Sequence, residues 1–212
     1  MRGKVFVVDG ADGAGKQTQS KLLVERLIRE GYPAQYEEEP TSNGIGLQIK
    51  SDLAKRSEHL DPTTLQILFT ADRSQHVHDT IAPGLASGTN FVLDRFWPST
   101  ISYADALGAP SEVVESLLQF NSNIFPRLDA VFLLSLPPEV AVKRMQARGR
   151  PIDRHESDMR FQIKVGNAYR RLYTRFRNSG QWHWIDANRP VEEISKEIHE
   201  VALKLLRDGG SI

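Results

Sequence analysis

The 212-residue chain has no cysteine, which excludes a disulfide framework and any thiolate metal site. It has no apolar run approaching the ~20 residues that a membrane-spanning helix needs. It has no excess of one charge: 27 Lys and Arg stand against 27 Asp and Glu, so bulk electrostatics give no reason to expect nucleic-acid or membrane-surface binding. It has no internal repeat, low-complexity tract or linker. The opening Met1-Arg2-Gly3-Lys4 leads straight into an apolar stretch and does not read as a signal peptide. These absences lead us to expect a cytoplasmic protein folded as one domain over residues 1–212.

What is present begins with Gly10-Ala11-Asp12-Gly13-Ala14-Gly15-Lys16, placed between the apolar run Val5-Phe6-Val7-Val8 and a segment of helical spacing (Leu22, Leu23, Leu27, Ile28). Strand, glycine loop and helix form the setting of a phosphate-binding loop. Glycines let several backbone N–H groups converge on a phosphate, and the helix N-terminus adds its own unpaired N–H groups and positive dipole end. Lys16 can then reach the outer phosphates of a nucleotide. The expected nucleotide-binding set is Gly10, Asp12, Gly13, Ala14, Gly15, Lys16, Gln17 and Thr18. Gln17 stands where the motif places a magnesium-ligating Ser or Thr, and Thr18 lies one helical step away from that direction.

Apolar runs at 4–9, 34–37, 90–93, 129–136 and 182–187 read as strands, separated by segments of helical period. Strands alternating with helices imply a parallel sheet covered on both faces. Asp61-Pro62 caps and opens a long helix expected to reach about Ile81, where Pro83 and Gly84 interrupt or redirect it. Helices are also expected over 44–54, from Ser111 with Val113, Val114, Leu117, Leu118 and Phe120 as core positions, over 138–147, from 157 to 178 with Arg and Tyr on the exposed side, and over the core stripe Val191, Ile194, Ile198, Val201 and Leu205.

Phe69 and Arg73 share a helical face and could stack a base and bond its edge, although spacing alone favours Phe69 as core and Arg73 as a surface ion-pair partner. Asp94-Arg95 closes a strand where open α/β sheets bind ligands. Arg95 suits a bidentate phosphate contact and Asp94 a water-bridged metal; a mutual ion pair is the plainer alternative. Around 148–156, Arg148, Arg150 and Arg154 mix with glycine and proline, as in a mobile lid over transferring phosphates or in a solvated charged loop. His183, between two tryptophans, reads as structural.

Five segments together resemble the thymidylate kinase family, in the nucleoside monophosphate kinase branch of P-loop proteins. They are Asp9 to Lys16; Glu39-Pro40-Thr41; Leu68 to Arg73; Asp94-Arg95-Phe96 with Tyr103; and Asp153 to Glu156. The resemblance implies an α/β fold, a five-stranded parallel sheet flanked by helices on both faces, and usually a homodimer. It implies transfer of the γ-phosphoryl group of ATP to dTMP with Mg2+, giving ADP and dTDP. It places Asp12 on the sugar 3′-hydroxyl of the acceptor, Phe69 and Arg73 on the base, Arg95 on the acceptor phosphate and Tyr103 against the 2′ position. Asp94 would organise magnesium and its waters, and Ala187 would lie near the donor adenine. Because the loop carries Gly13 rather than a basic residue, the resemblance assigns the catalytic arginine to Arg148 or Arg150 in the lid, beside Lys16 and Arg95. Ala104 motivates a second reading, a kinase for another pyrimidine monophosphate such as dUMP. Gln17 motivates a third, a nucleotide-binding relative with weak or no catalysis.

Overall fold

Five short parallel strands end at the same edge of one sheet. The computed structural model describes residues 2–54, 61–147 and 158–208. The strands are β1 (Val5–Gly10), β2 (Ala34–Glu38), β3 (Asn90–Asp94), β4 (Ala130–Ser135) and β5 (Trp182–Asp186). They form one parallel sheet in the order β2-β3-β1-β4-β5. From β1 the chain passes to the edge strand β2, returns to β3 beside β1, then crosses to β4 and β5 on the other side, so the crevice at the C-terminal end of β1 is the switch point where such sheets bind ligands.

The two faces of the sheet follow strand alternation. Val5, Val7, Phe91, Leu93, Val131 and Leu133 point to one core, closed by α5 (Trp97–Leu107), α6 (Ser111–Ile124) and α8 (Met159–Phe176). Phe6, Val8, Val92, Phe132 and Leu134 point to the other, closed by Leu23 and Leu27 of α1 (Lys16–Arg29) and by Ile194, Ile198 and Ala202 of α9 (Val191–Asp208). Burial on both faces explains why these strands read as unbroken apolar runs. His183 fits this packing, stacking on Phe132 at 5.5 Å between ring centroids.

The structure refines the reading of the chain at three places. Of the two outcomes open at Pro83, the helix opened by Asp61 is redirected rather than ended. That helix, α3 (Pro62–His76), passes through a π-turn at Val77–Ile81 into α4 (Ala82–Ala86). The wider turn shifts the hydrogen-bond register just ahead of a residue that lacks an N–H. Next, α5 occupies a segment for which no helix was expected, and Pro98 sits in its first turn, where no N–H partner is needed. Finally, the helix from 157 was expected to expose its tyrosines, but Tyr169 is buried at 2% exposure. Two further helices frame the site, α2 (Gly44–Ala54) and α7 (Pro138–Ala147). Among the described residues, no helix is long and apolar enough to cross a membrane.

Candidate active site at the C-terminal edge of the sheet

The loop after β1 keeps glycine where a side chain cannot stand. A Cβ on Gly10 (φ 140°) would lie 2.3 Å from the Leu134 carbonyl oxygen, and one on Gly13 (φ 78°) would lie 2.6 Å from that of Ala141. The loop therefore packs backbone to backbone against β4 and α7, with Ala14 buried beneath it. Lys16, the first residue of α1, is 8% exposed and donates its Nζ hydrogens to the carbonyls of Gly10 (3.0 Å) and Ala11 (2.9 Å). Burial and the nearby Arg95 pull its ammonium below the usual lysine range, partly offset by Asp12, Asp94 and Asp9.

Arg95, just past β3, holds a φ of 70°, the one positive value among the described non-glycine residues. Such a conformation is costly and marks a residue whose direction matters. It aims the guanidinium at Asp12 Oδ1, in a close ion pair, while Nη1 donates to Ser99 Oγ at 3.3 Å. The other oxygen of Asp12 accepts from the Tyr103 hydroxyl at 2.7 Å, and the Tyr103 ring lies under the guanidinium at 5.3 Å. Burial alone would raise the Asp12 carboxyl, but the charges of Arg95 and Lys16 and the Tyr103 and Arg95 hydrogen bonds outweigh it and hold it at about 2. The alternative in which Asp94 and Arg95 simply pair is therefore corrected: the arginine's partner is Asp12.

Beneath this cluster lies a carboxylate that motif reading passed over. Asp9 is fully buried, and its Oδ1 accepts from Gly10 N (2.8 Å), Ser99 Oγ (2.7 Å) and the Tyr169 hydroxyl (2.7 Å), while its Oδ2 has no partner. The one signal in the sequence was an acid ending an apolar strand. Asp94 closes β3 with its carboxyl pushed up by burial, an effect that Lys16 and Arg95 reduce. Its Oδ2 lies 3.5 Å from the Tyr36 hydroxyl, which donates to Glu38 at 2.8 Å. Gln17 is exposed and gives its amide to the same Glu38 at 3.4 Å, and Thr18 is exposed on the next step of α1.

The base-reading pair is less superficial than spacing suggested. Arg73 is 1% exposed, not a surface partner, while Phe69 one turn earlier is half-buried. Arg73 Nη1 donates to Thr100 Oγ1 (3.1 Å) and Asn121 Oδ1 (2.8 Å), and Nη2 lies 2.6 Å from Glu39 Oε2. Ala187 is buried just beyond β5, and its carbonyl accepts from Arg144 at 3.1 Å. Ala104 is fully buried in the core. Arg148, Arg150 and the rest of the 148–156 segment lie outside the described residues. The structure thus brings together Lys16, Asp12, Arg95 and Tyr103.

The sequence model described as "Thymidylate kinase" matches residues 8–198. The chain belongs to the thymidylate kinase family. It is 34% identical over 214 residues to a thymidylate kinase of an Exiguobacterium species, covering 99% of each chain. It is 33% identical over 203 residues to a probable thymidylate kinase of Pyrococcus abyssi, covering 93% of this chain and 95% of the relative. It is 31% identical over 206 residues to a thymidylate kinase of Xanthomonas campestris pv. campestris, covering 97% and 86%. As a thymidylate kinase family member the protein is an ATP-dependent nucleoside monophosphate kinase, and family membership favours neither the dUMP reading nor the non-catalytic one.

Proposed function

We propose a division of labour for transfer of the γ-phosphoryl group of ATP to dTMP, resting above all on the convergence of Lys16, Arg95, Asp12 and Tyr103 at one strand edge. The acceptor is already a phosphate dianion, so the chain needs positioning and charge neutralisation rather than a strong base. Gly10 to Thr18 cradle the donor phosphates, Ala187 borders the adenine, and Lys16 moves from the loop carbonyls to the outer phosphates. Arg95 holds the acceptor phosphate and Asp12 the sugar hydroxyl, with Tyr103 closing the 2′ side. Phe69 stacks on the base and Arg73 bonds its edge. Arg148 or Arg150 offsets charge on the transferring group. The reading takes 1–212 as one domain with its lid around 148–156, acting in the cytoplasm, where ATP and dTMP meet.

Magnesium belongs to this reading. Asp94, together with the unpartnered Oδ2 of buried Asp9, offers the hard oxygen donors a small divalent cation takes. Among the described residues no three His, Cys, Asp or Glu side chains gather for an all-protein site, which suits a metal completed by phosphates and water. Bound there, the metal would neutralise phosphate charge. Gln17, turned to Glu38, contributes no hydroxyl ligand.

A homodimer is also part of the proposal. Ile67 on α3 and Phe120 and Ile124 on α6 are 52%, 50% and 58% exposed on two helices that pack together, an apolar face suited to a second copy. A monomer in sedimentation at micromolar concentration would refute it. The reaction is tested by ADP release with ATP and Mg2+, offering dTMP, dUMP, UMP, CMP and AMP separately. Strong dTMP preference supports the assignment; another preferred acceptor would overturn the base pocket, and no turnover would overturn the enzyme.

A further inference from the structure

We propose that Glu39 and His76 are positioning residues that set the direction of the Arg73 guanidinium and thereby the discrimination among acceptor bases. The inference rests on the reading of Arg73 as the base-edge donor.

A guanidinium at 1% exposure must be compensated from all sides. Aromatic rings face it from Phe96 (4.9 Å) and Phe125 (5.8 Å), and α5 and α6 supply the acceptors Thr100 and Asn121 on Nη1. The negative charge comes from Glu39, 2% exposed at the side chain, in the turn after β2. Its 2.6 Å approach to Nη2 lies off the N–H direction, so the contact is an ion pair rather than an aligned hydrogen bond, and Arg73 Nε has no partner.

Glu39 is itself gripped. Its Oε1 lies 3.3 Å from Nδ1 of His76, which follows Arg73 by three residues and shares its face of α3. The other ring nitrogen of His76 meets Glu37 Oε2 at 3.2 Å, and Gln35 donates to Glu37 Oε1 at 2.7 Å. Two carboxylates flanking one imidazole keep it cationic at neutral pH. The cluster thus alternates in sign, from Glu37 through His76 and Glu39 to Arg73.

The same short segment is tied to the reacting centre. Glu39 N donates to the Asp94 carbonyl at 3.2 Å, and Thr41 clamps Asp72 of α3 through its amide (2.8 Å) and hydroxyl (2.6 Å). The charge that orients the base reader is therefore fixed relative to the strand end that carries Asp94 and Arg95. A guanidinium only donates. Held in one orientation it accepts a base with a carbonyl at that edge and rejects one with an amino group; allowed to swing, it loses that contrast.

The test compares dTMP with dCMP, whose edge carries the amino group, and with dUMP, which keeps the carbonyl and lacks only the methyl. In Glu39→Gln and His76→Gln we expect the preference for dTMP over dCMP to fall about tenfold and dTMP affinity, measured by calorimetry without ATP, to fall about tenfold, with kcat within about threefold. The dTMP to dUMP ratio should not move. Glu37→Gln, at the partly exposed outer end, should show the same change at about threefold. Arg73→Lys should abolish the dTMP to dCMP contrast. If Arg73→Lys abolishes it while the glutamate and histidine variants keep it, the positioning role is refuted and the base reading survives. If Arg73→Lys keeps it, the base reading fails and takes this proposal with it. Should Glu39→Gln or His76→Gln not fold, Glu37→Gln decides: an unchanged contrast there refutes the proposal.

Discussion

Replacing Tyr169 by Phe removes one hydroxyl and leaves the packing of α8 intact. That hydroxyl donates to Asp9 Oδ1 at 2.7 Å and lies 3.0 Å from Ser99 Oγ, the second side-chain donor to the same oxygen. Hydrogen bonds to a carboxylate contribute about 1.5–3 kcal/mol net, and the fully buried Asp9 cannot recruit water in exchange. Tyr169→Phe should therefore cost about 2 kcal/mol, or about 4–8 °C in Tm for a chain of this size. Urea unfolding without nucleotide is the direct assay. Ser99→Ala alone should cost a similar amount, and the two changes should couple by at least about 0.5 kcal/mol because they share one acceptor. A loss below about 0.5 kcal/mol for Tyr169→Phe, or strict additivity with Ser99→Ala, would show that Asp9 does not depend on α8 and would refute the reasoning.

Burial would lower the His76 pKa, but hydrogen bonds and charge from Glu37 and Glu39 lift it from 6.5 to about 9. Its contribution, on the order of 3 kcal/mol, is complete below pH 6.5, declines as pH rises and is gone above about 9; stability measured from pH 6 to 9.5 should fall more steeply in the parent than in His76→Gln. Arg95→Lys keeps the charge but loses the planar fork aimed at the acceptor, so kcat/KM for dTMP should fall about 100-fold, and a loss under threefold in steady-state assays would remove Arg95 from the phosphate. Alanine at Arg148 or at Arg150 should reduce turnover by more than about threefold in at least one case, a barrier change near 0.7 kcal/mol; two unaffected variants would end the lid assignment.

The five strands and their parallel sheet were legible because their causes are local. Unbroken apolar runs meant burial on both faces, and a glycine loop between strand and helix marked the C-terminal edge of β1 as the candidate site. Lys16, Asp12 and Arg95 stand in segments that motif and resemblance pick out, and the structure brings their side chains together. What escaped depends on the third dimension. Nothing local says that Asp9 meets Tyr169 across 160 residues, or that Glu39 meets Arg73. Spacing placed Arg73 at the surface because arginine usually belongs there, and the charge of Glu39 together with the acceptors of α5 and α6 makes its burial tolerable. Pro83 left interruption and redirection both open, and a single π-turn, which no local rule foretells, decides for redirection. Phe120 and Val191 were read as core from helical period, yet both are about half exposed at 50% and 49%, where period alone places the edge of a stripe inside it.

The start of α1 has a consequence for how this protein can change. Gly15 caps the helix without a side-chain hydrogen bond, and the first turn carries no acidic residue. Most helices close this end with a carboxylate or hydroxyl of their own. Here a bound phosphate would do that work, so helix integrity and nucleotide affinity draw on the same few amides. Their hydrogen exchange should slow when ATP binds. The easiest route to a more robust α1, an acid at position 17, would repel the ligand that the turn exists to hold. At this turn, a lineage selected for heat resistance and one selected for turnover would be pulled in opposite directions.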